Sequence, residues 1–298
     1  MASATSLKRP NYIGRFAPSP TGELHQGSLL TAVASYLDAR HQQGLWLVRM
    51  EDLDPPREQP GAADSILNTL EAHHLHWDQD VIYQSQRLPA YQQALHELQE
   101  QQFTYPCDCN RQRVQQLRGI YDNHCRSLHA KTSPVATRIK VQNTPIVFND
   151  IFQGRQQHLL LKECGDFVIH RKDGLFAYQL AVTVDDIHQN ISHVIRGCDL
   201  LSSTPRQLQL FKYFCAAEPT YGHLPVIVNN EGQKLSKQTF APAIDDSQAP
   251  DNLRTALHQL GMQPPTRSEC NDCGELLNWA TTHWRRERVP HTRTIAER

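Results

Sequence analysis

Three short stretches carry residue types that could do chemistry. In the first, His25 sits between Gly22 and Gly27 in the run Pro18-Ser19-Pro20-Thr21-Gly22-Glu23-Leu24-His25-Gln26-Gly27-Ser28. Leu29, Leu30, Val33, Ala34 and Leu37 follow at helical spacing. A helix N-terminus offers free N–H groups and partial positive charge, so phosphate is favoured there, and a histidine at that point can donate to a phosphoryl oxygen. In the second, the turn signal Asn229-Asn230-Glu231-Gly232 introduces Lys234-Leu235-Ser236-Lys237, whose two lysines could clamp a triphosphate and stabilise charge growing on it. The third is Cys107-Asp108-Cys109 with Cys125, three thiols that need one further donor to close a tetrahedral zinc site. His124 and His129 are the conventional candidates for that donor. Cys270-Asn271-Asp272-Cys273 has metal-like spacing but no second pair, and reads as a loop with two thiols. Alone, either of the first two stretches would be read as a solvated loop.

These stretches need elements to position them. Tyr12 to Ala17 reads as a short apolar strand, and the helix after the Pro/Gly loop has Gly44 as its stop. Leu45 to Met50 is a second strand, ending in Glu51-Asp52-Leu53-Asp54. Strand, helix and strand in about forty residues make a βαβ unit on a parallel sheet. Ligands bind at the carboxyl ends of such strands, an edge that carries residues 18–27 and 51–54 here. Helical patterns run from Ala62 to His74 and from Arg87 to Gln101. From Phe103 the character changes, with the cysteine cluster and β-like runs at 137–141 and 167–170, so this part reads as an insertion. The sheet pattern returns at His193-Val194-Ile195, ending in Arg196-Gly197. Thr204 then reads as a helix cap, with Pro205 in the first turn. The last sixty residues are helix-prone.

Composition narrows the classes. The chain has 298 residues, 30 Lys+Arg and 31 Asp+Glu, for a formal net charge of −1. That length suggests two domains, or one with an insertion, at about 150 residues per domain. Near-neutral charge excludes a broadly polybasic protein but leaves room for local RNA-binding patches. No apolar run approaches the roughly 20 residues of a membrane span, and the N-terminus lacks the apolar core of a signal peptide. Eight cysteines without an export signal argue against a disulfide framework, so a cytoplasmic protein is expected. Sixteen histidines predict growing positive charge between pH 7 and pH 5.5.

The first two stretches together resemble the two signature motifs of the class I aminoacyl-tRNA synthetases, and those of the glutamyl subgroup more closely. The subgroup's other blocks follow in order: Arg49-Met50-Glu51-Asp52-Leu53-Asp54, Tyr83-Gln84-Ser85-Gln86-Arg87, Tyr178-Gln179-Leu180-Ala181, Val184-Asp185-Asp186 and Arg196-Gly197-Cys198-Asp199-Leu200, continuing to Thr204-Pro205-Arg206-Gln207. They span residues 12–238. Ser28 stands where the first signature has its second histidine, and Gln238 ends the lysine signature. The 61 residues after Lys237 are fewer than a helical anticodon-binding region needs. With the Cys-x-Cys cluster, this length resembles the glutamyl-queuosine tRNA(Asp) synthetases.

The resemblance implies an α/β fold: a Rossmann-type parallel-sheet catalytic domain (residues 11–102 and 176–216), an inserted α+β subdomain with a zinc site (103–175) and a short helical C-terminal domain carrying the lysine loop (217–298). It implies ATP-dependent activation of L-glutamate to the adenylate without tRNA, then transfer of glutamate to the queuosine base in the anticodon of tRNA(Asp). His25 and Lys237 would be catalytic, and His25, Gly27, Lys234 and Lys237 would hold ATP with Mg²⁺. Glutamate has two carboxylates and one ammonium. Arg15 and Arg196, at strand ends on the ligand edge, suit the carboxylates because guanidinium binds them bidentately. By resemblance Ser19 and Tyr178 assist them and Glu51 takes the ammonium; which arginine holds which carboxylate is open. Zn²⁺ would be held by Cys107, Cys109 and Cys125, with Tyr121 as the fourth ligand by resemblance. A monomer is expected. RNA contacts could come from Arg285, Arg286, Arg288, Arg293 and Arg298, or from Arg111, Arg113, Arg118 and Arg126. Two other readings stay open: a minimal synthetase charging the tRNA 3′ end, and a non-catalytic nucleotide- or RNA-binding relative, motivated by Ser28.

Overall fold

A computed structural model describes residues 12–127, 133–229, 231–234 and 242–296. The apolar run Ile13–Phe16 forms β1, Gln26–His41 forms α1 and Leu45–Met50 forms β2. In α1 nearly every face is apolar and buried, as befits a helix enclosed between the sheet and other helices. Gly44 does not serve as a left-handed helix stop, because Gln43 takes that conformation (φ 53°). Gly44 is needed for a close approach instead, since a Cβ there would lie 2.5 Å from the Tyr12 carbonyl oxygen.

The chain continues through α2 (Ala62–Ala72), β3 (Ile82–Tyr83) and α3 (Leu88–Glu100). It then enters the middle segment: β4 (Thr104–Cys107), α4 (Arg111–Gln116), β5 (Ala136–Ile139), β6 (Ile146–Asp150), β7 (Gly154–His158), α5 (Leu160–Glu163) and β8 (Phe167–His170). There β4-β5-β8 form an antiparallel sheet and β6-β7 a hairpin. After it come α6 (Tyr178–His188), β9 (His193–Gly197), α7 (Thr204–Tyr213), β10 (Thr220–Leu224) and β11 (Val226–Val228), then α8 (Ala249–Gln259), α9 (Cys273–His283) and β12 (Thr294–Ala296).

β1, β2 and β3 are parallel, with Ile13 opposite Leu45 and Arg49 opposite Ile82. β9 and β10 are also parallel, and β9 lies beside β1, where Ser192 N donates to Ile13 O at 2.9 Å. The order is therefore β3-β2-β1-β9-β10, and the chain reverses direction across the sheet between β1 and β9. Ligand crevices of open α/β sheets form at such a switch, beyond the strand carboxyl ends. One apolar layer joins the sheet to α1, α8 and α9 through Leu29, Val33, Trp46, Leu253, Leu257 and Leu276. A second joins it to α3, α6, α7 and the inserted sheet through Leu95, Ile139, Leu180 and Leu208.

The helix start at residue 204 differs from the expected one. Thr204 lies inside α7 and Ser203 is the capping residue, with no side-chain cap bond. The Thr204 hydroxyl is committed elsewhere, to Arg196 and His223. The C-terminal segment returns to α1 through Asp38, a buried carboxylate that accepts from Tyr12 Oη, Trp284 Nε1 and Arg286 Nε. Among the described residues no helix is long and apolar enough to cross a membrane.

Candidate active site

The ends of β1 and β9 open into a cavity of about 590 Å³. Arg15, Ser19, Glu51, Tyr178 and Arg196, the expected glutamate ligands, all line it. So do His25, Gly27 and Lys234 from the expected ATP set. Lys237 lies outside the described residues.

His25 precedes α1 in an extended conformation, and its Nδ1 accepts from the N–H groups of Gly27 (3.1 Å) and Ser28 (3.3 Å). Since Nδ1 accepts, the ring proton of the neutral form sits on Nε2, which lies 3.2 Å from Ser28 Oγ. Ser28, in place of the signature's second histidine, thus contacts the first. Lys234 reaches across the cavity mouth to Asp199 (Nζ–Oδ2 2.6 Å).

The floor is a buried charge network. Arg49, fully buried, places Nη1 2.8 Å from Asp186 Oδ1 and Nη2 3.4 Å from Glu51 Oε1. Arg15 Nε donates to the same Asp186 oxygen at 3.2 Å. Asp185 accepts from Arg87 Nε (2.6 Å), Gln84 Nε2 (2.7 Å) and Tyr91 Oη (2.7 Å). Burial works to raise the Asp186 pKa, but Arg15 and Arg49 outweigh it and hold the carboxyl below its usual range. Burial pushes the Glu51 carboxyl up, opposed by Arg49 and Arg15. An ammonium arriving beside Glu51 would favour its charged form.

Arg196 is held differently. Its Nε donates to His223 Nε2 (3.0 Å), and its Nη2 donates to Thr204 Oγ1 and Gln207 Oε1 (2.9 Å each). Its Nη1 approaches Tyr178 Oη at 3.4 Å. Although it is only 3 % exposed, no carboxylate among the described residues lies within ion-pairing distance of it. Beneath the cavity Arg15, Arg49 and Arg87 are paired with Glu51, Asp185 and Asp186, whereas Arg196 reaches a carboxylate, Asp150, only through the His223 ring. An isolated buried charge is costly, and an anionic ligand relieves that cost.

His223 and Asp150 were missed in the sequence. The His223 ring is fully buried and donates from Nδ1 to Asp150 Oδ2 at 2.5 Å. Burial lowers its pKa from 6.5 to about 4, assisted by Arg196 and opposed by Asp150. The unfolded chain then binds a proton below about pH 6.5 that the native ring refuses until about pH 4. Stability is full above pH 6.5 and is lost as pH falls towards 4, by about 2 kcal/mol between pH 7 and pH 5 from this group. Urea midpoints at those two pH values check it, and His223→Gln should show a smaller drop. Burial also lowers the pKa of His73 and His193, so these three histidines add charge only at lower pH than their number suggests.

In the middle segment, Sγ of Cys109 and Cys125 are 3.4 Å apart, and Tyr121 Oη lies 3.5 Å from Cys107 Sγ and 3.6 Å from Cys109 Sγ. A tetrahedral zinc ion with its usual bond lengths needs S···S near ~3.8 Å and S···O near ~3.5 Å, so the four atoms fit one. No histidine joins the cluster among the described residues, and His129 lies outside them. Arg138 stacks 3.6 Å over the Tyr121 ring and donates from Nε to Cys107 Sγ at 3.2 Å. Burial raises the Cys107 thiol, yet the hydrogen bonds from Tyr121 and Arg138 bring it down to about 7.

Several arginines considered for RNA contact are already paired with carboxylates. Arg113 pairs with Asp122 (2.7 Å), Arg126 Nε with Asp166 (2.8 Å) and Arg286 with Asp38 (2.7 Å). Arg111, Arg118, Arg288 and Arg293 are exposed, and Arg298 lies outside the described residues.

An open parallel sheet thus places a helix N-terminus and a cluster of buried arginines and carboxylates at its switch point. Residues 13–292 match the family "tRNA synthetases class I (E and Q), catalytic domain", and the chain belongs to it. Among curated relatives, the "Glutamyl-Q tRNA(Asp) synthetase" of Salmonella paratyphi A is 50% identical over 96% of both chains. The protein of the same name from Salmonella typhimurium is 49% identical over 96% of both. Two solved structures share the fold. A glutamate tRNA ligase from Elizabethkingia meningosepticum, in complex with its amino acid, superposes with a TM-score of 0.79 at 24% identity over 94% of this chain. A glutamate-tRNA synthetase from Elizabethkingia anophelis gives 0.82 at 23% over 98%. The chain spans 66% and 68% of the length of those two proteins.

Proposed function

We propose that the protein activates L-glutamate with ATP, without tRNA, and transfers it to the queuosine base in the anticodon of tRNA(Asp). The observation that carries the activation step is Arg196, a buried cation with no carboxylate in ion-pairing distance among the described residues, lining a cavity that also presents Arg15, Glu51 and Tyr178. The names of the relatives support queuosine as the acceptor.

Arg15 and Arg196 bind the two carboxylates, with Ser19 and Tyr178 beside them, and Glu51 receives the ammonium. An oxygen of the α-carboxylate attacks the α-phosphorus of ATP. The new O–P bond forms as the bond to the β-phosphate oxygen breaks, and pyrophosphate leaves. Negative charge gathers on the phosphoryl oxygens. The Nε2 proton of His25, whose ring is held at the α1 N-terminus because Nδ1 accepts from the N–H groups of Gly27 and Ser28, is placed to stabilise it. Lys234 and Lys237 bind the outgoing phosphates, and Mg²⁺ would accompany the nucleotide. Positioning and charge stabilisation do most of the work. A hydroxyl of the queuosine ring then attacks the activated acyl carbon and displaces AMP. The reading places this chemistry in the cytoplasm, where ATP and tRNA are available, with a monomer as the working unit.

Cys107, Cys109, Cys125 and Tyr121 would hold a structural zinc that ties β4 to the 121–125 turn. The purified protein should contain about one zinc per chain by elemental analysis. Cys125→Ser should lose it and melt at lower temperature, whereas Cys270→Ser should keep it.

The activation step is tested by ATP–pyrophosphate exchange without tRNA, across the amino acids. Exchange with glutamate alone supports the reading; exchange with none, unaltered by His25→Ala, contradicts it in favour of a non-catalytic relative.

A further inference from the structure

Arg196 has a rigid backing that no signature motif contains. A guanidinium Nε can only donate, so the His223 Nε2 facing it at 3.0 Å must offer its lone pair. The ring proton therefore sits on Nδ1, where Asp150 Oδ2 receives it at 2.5 Å. Asp150 is itself fixed: its Oδ1 accepts from the backbone N–H groups of His223 (3.0 Å), Phe152 (3.1 Å) and Gln153 (2.9 Å). Asp150 and His223 are 5 % and 0 % exposed, and neither lines the cavity. Asp150 ends β6 in the inserted segment, His223 lies on β10, and Arg196 is on β9. The three stand in a line from the insertion to the substrate floor.

We propose that Asp150 and His223 are a positioning pair that fixes the tautomer facing Arg196, and thereby its guanidinium, so that the inserted segment takes part in amino-acid recognition. The inference rests on the glutamate reading above. Without the pair, Nε of Arg196 has no fixed acceptor, and the fork is held from one side only, by Nη2 on Thr204 and Gln207. The effect belongs to glutamate and not to ATP, because neither residue reaches the phosphate end at α1.

Asp150→Asn provides a sharp test. Because Oδ1 must still accept from three backbone N–H groups, the new NH₂ occupies the Oδ2 position and donates to Nδ1. That forces the proton onto Nε2, against the Arg196 Nε–H. The analogous tautomer reversal in a serine-protease triad leaves geometry intact and costs several orders of magnitude in rate. His223→Leu removes the acceptor altogether, whereas His223→Gln can place Oε1 near the Nε2 position.

In tRNA-independent pyrophosphate exchange, Asp150→Asn and His223→Leu should raise KM for glutamate roughly thirtyfold or more, with KM for ATP changed less than about threefold. His223→Gln should raise KM for glutamate much less than His223→Leu. In ¹⁵N-histidine spectra the His223 proton should move from Nδ1 in the unaltered protein to Nε2 in Asp150→Asn. Equal shifts in both KM values, an unchanged KM for glutamate, or a His223→Gln variant as poor as His223→Leu would overturn the positioning role. Absence of glutamate-dependent exchange in the unaltered protein would instead overturn the activation reading, and the proposal with it.

Discussion

Arg196→Leu should lower kcat/KM for glutamate roughly a thousandfold, while the melting temperature stays within a few degrees of the unaltered protein. The two halves of this result have one cause. Arg196 is buried and no described carboxylate pairs with it directly, so the empty protein carries the cost of a charge held out of water. Removing the charge ends that cost, which offsets the lost hydrogen bonds to Thr204, Gln207 and His223. The substrate loses the charge-assisted bonds that its carboxylate makes in a dry site, and those are the strong ones. Arg196→Lys should recover little, because a point charge on a flexible stem cannot reproduce the fork. Steady-state exchange kinetics and thermal melting together check this. An active variant, or one that melts far earlier, would show that Arg196 serves the fold and not the ligand.

Arg49→Met is expected to do the reverse, with a large loss of stability. Arg49 lies beneath the substrate floor, in ion-pairing distance of Asp185, Asp186 and Glu51. Its removal leaves Asp186 with Arg15 alone and weakens the support of two other carboxylates. Breaking a buried pair from one side costs about 3–5 kcal/mol. In a chain of this size that corresponds to a fall in Tm of about 6–20 °C. Asp186→Asn in the same background should recover part of the loss, since it removes an uncompensated anion. Calorimetry of the single and double variants measures both effects. A single variant that melts normally would mean that water reaches these carboxylates and that Arg49 does not hold the floor together.

The contrast between these two arginines shows what was legible in the chain. β1, β2, β8 and β9 could be read from short apolar runs, and α1 from the spacing of Leu29, Leu30, Val33 and Leu37, because burial imposes those patterns locally. The cavity-lining residues were legible for another reason: signature spacings such as Arg15 to Ser28 are contiguous in sequence. Partnership was not legible. Nothing local marks Arg15 as paired and Arg196 as unpaired, since the deciding carboxylate, Asp186, is 171 positions from Arg15. Asp150 is likewise 73 positions from His223 and belongs to a hairpin with no motif. Thr204 looked like a helix cap because its neighbour is proline, but a tertiary demand on its hydroxyl took precedence. Arg286 looked like part of a basic tail until Asp38, the one carboxylate on α1, proved to be its partner. Long-range pairing of charges decides such cases, and it appears only when the chain is folded.

Delivery to queuosine of the glutamate activated at this floor is the step that separates the proposed function from 3′ charging. The most direct measurement is transfer of labelled glutamate to tRNA(Asp) whose 3′-terminal adenosine has been removed, comparing tRNA that carries queuosine with tRNA that lacks it. Labelling of the truncated queuosine-containing tRNA, and none of the queuosine-free one, is the expected result. Labelling that requires the 3′ adenosine and ignores queuosine would contradict it and make the protein a small synthetase of the 3′-charging kind.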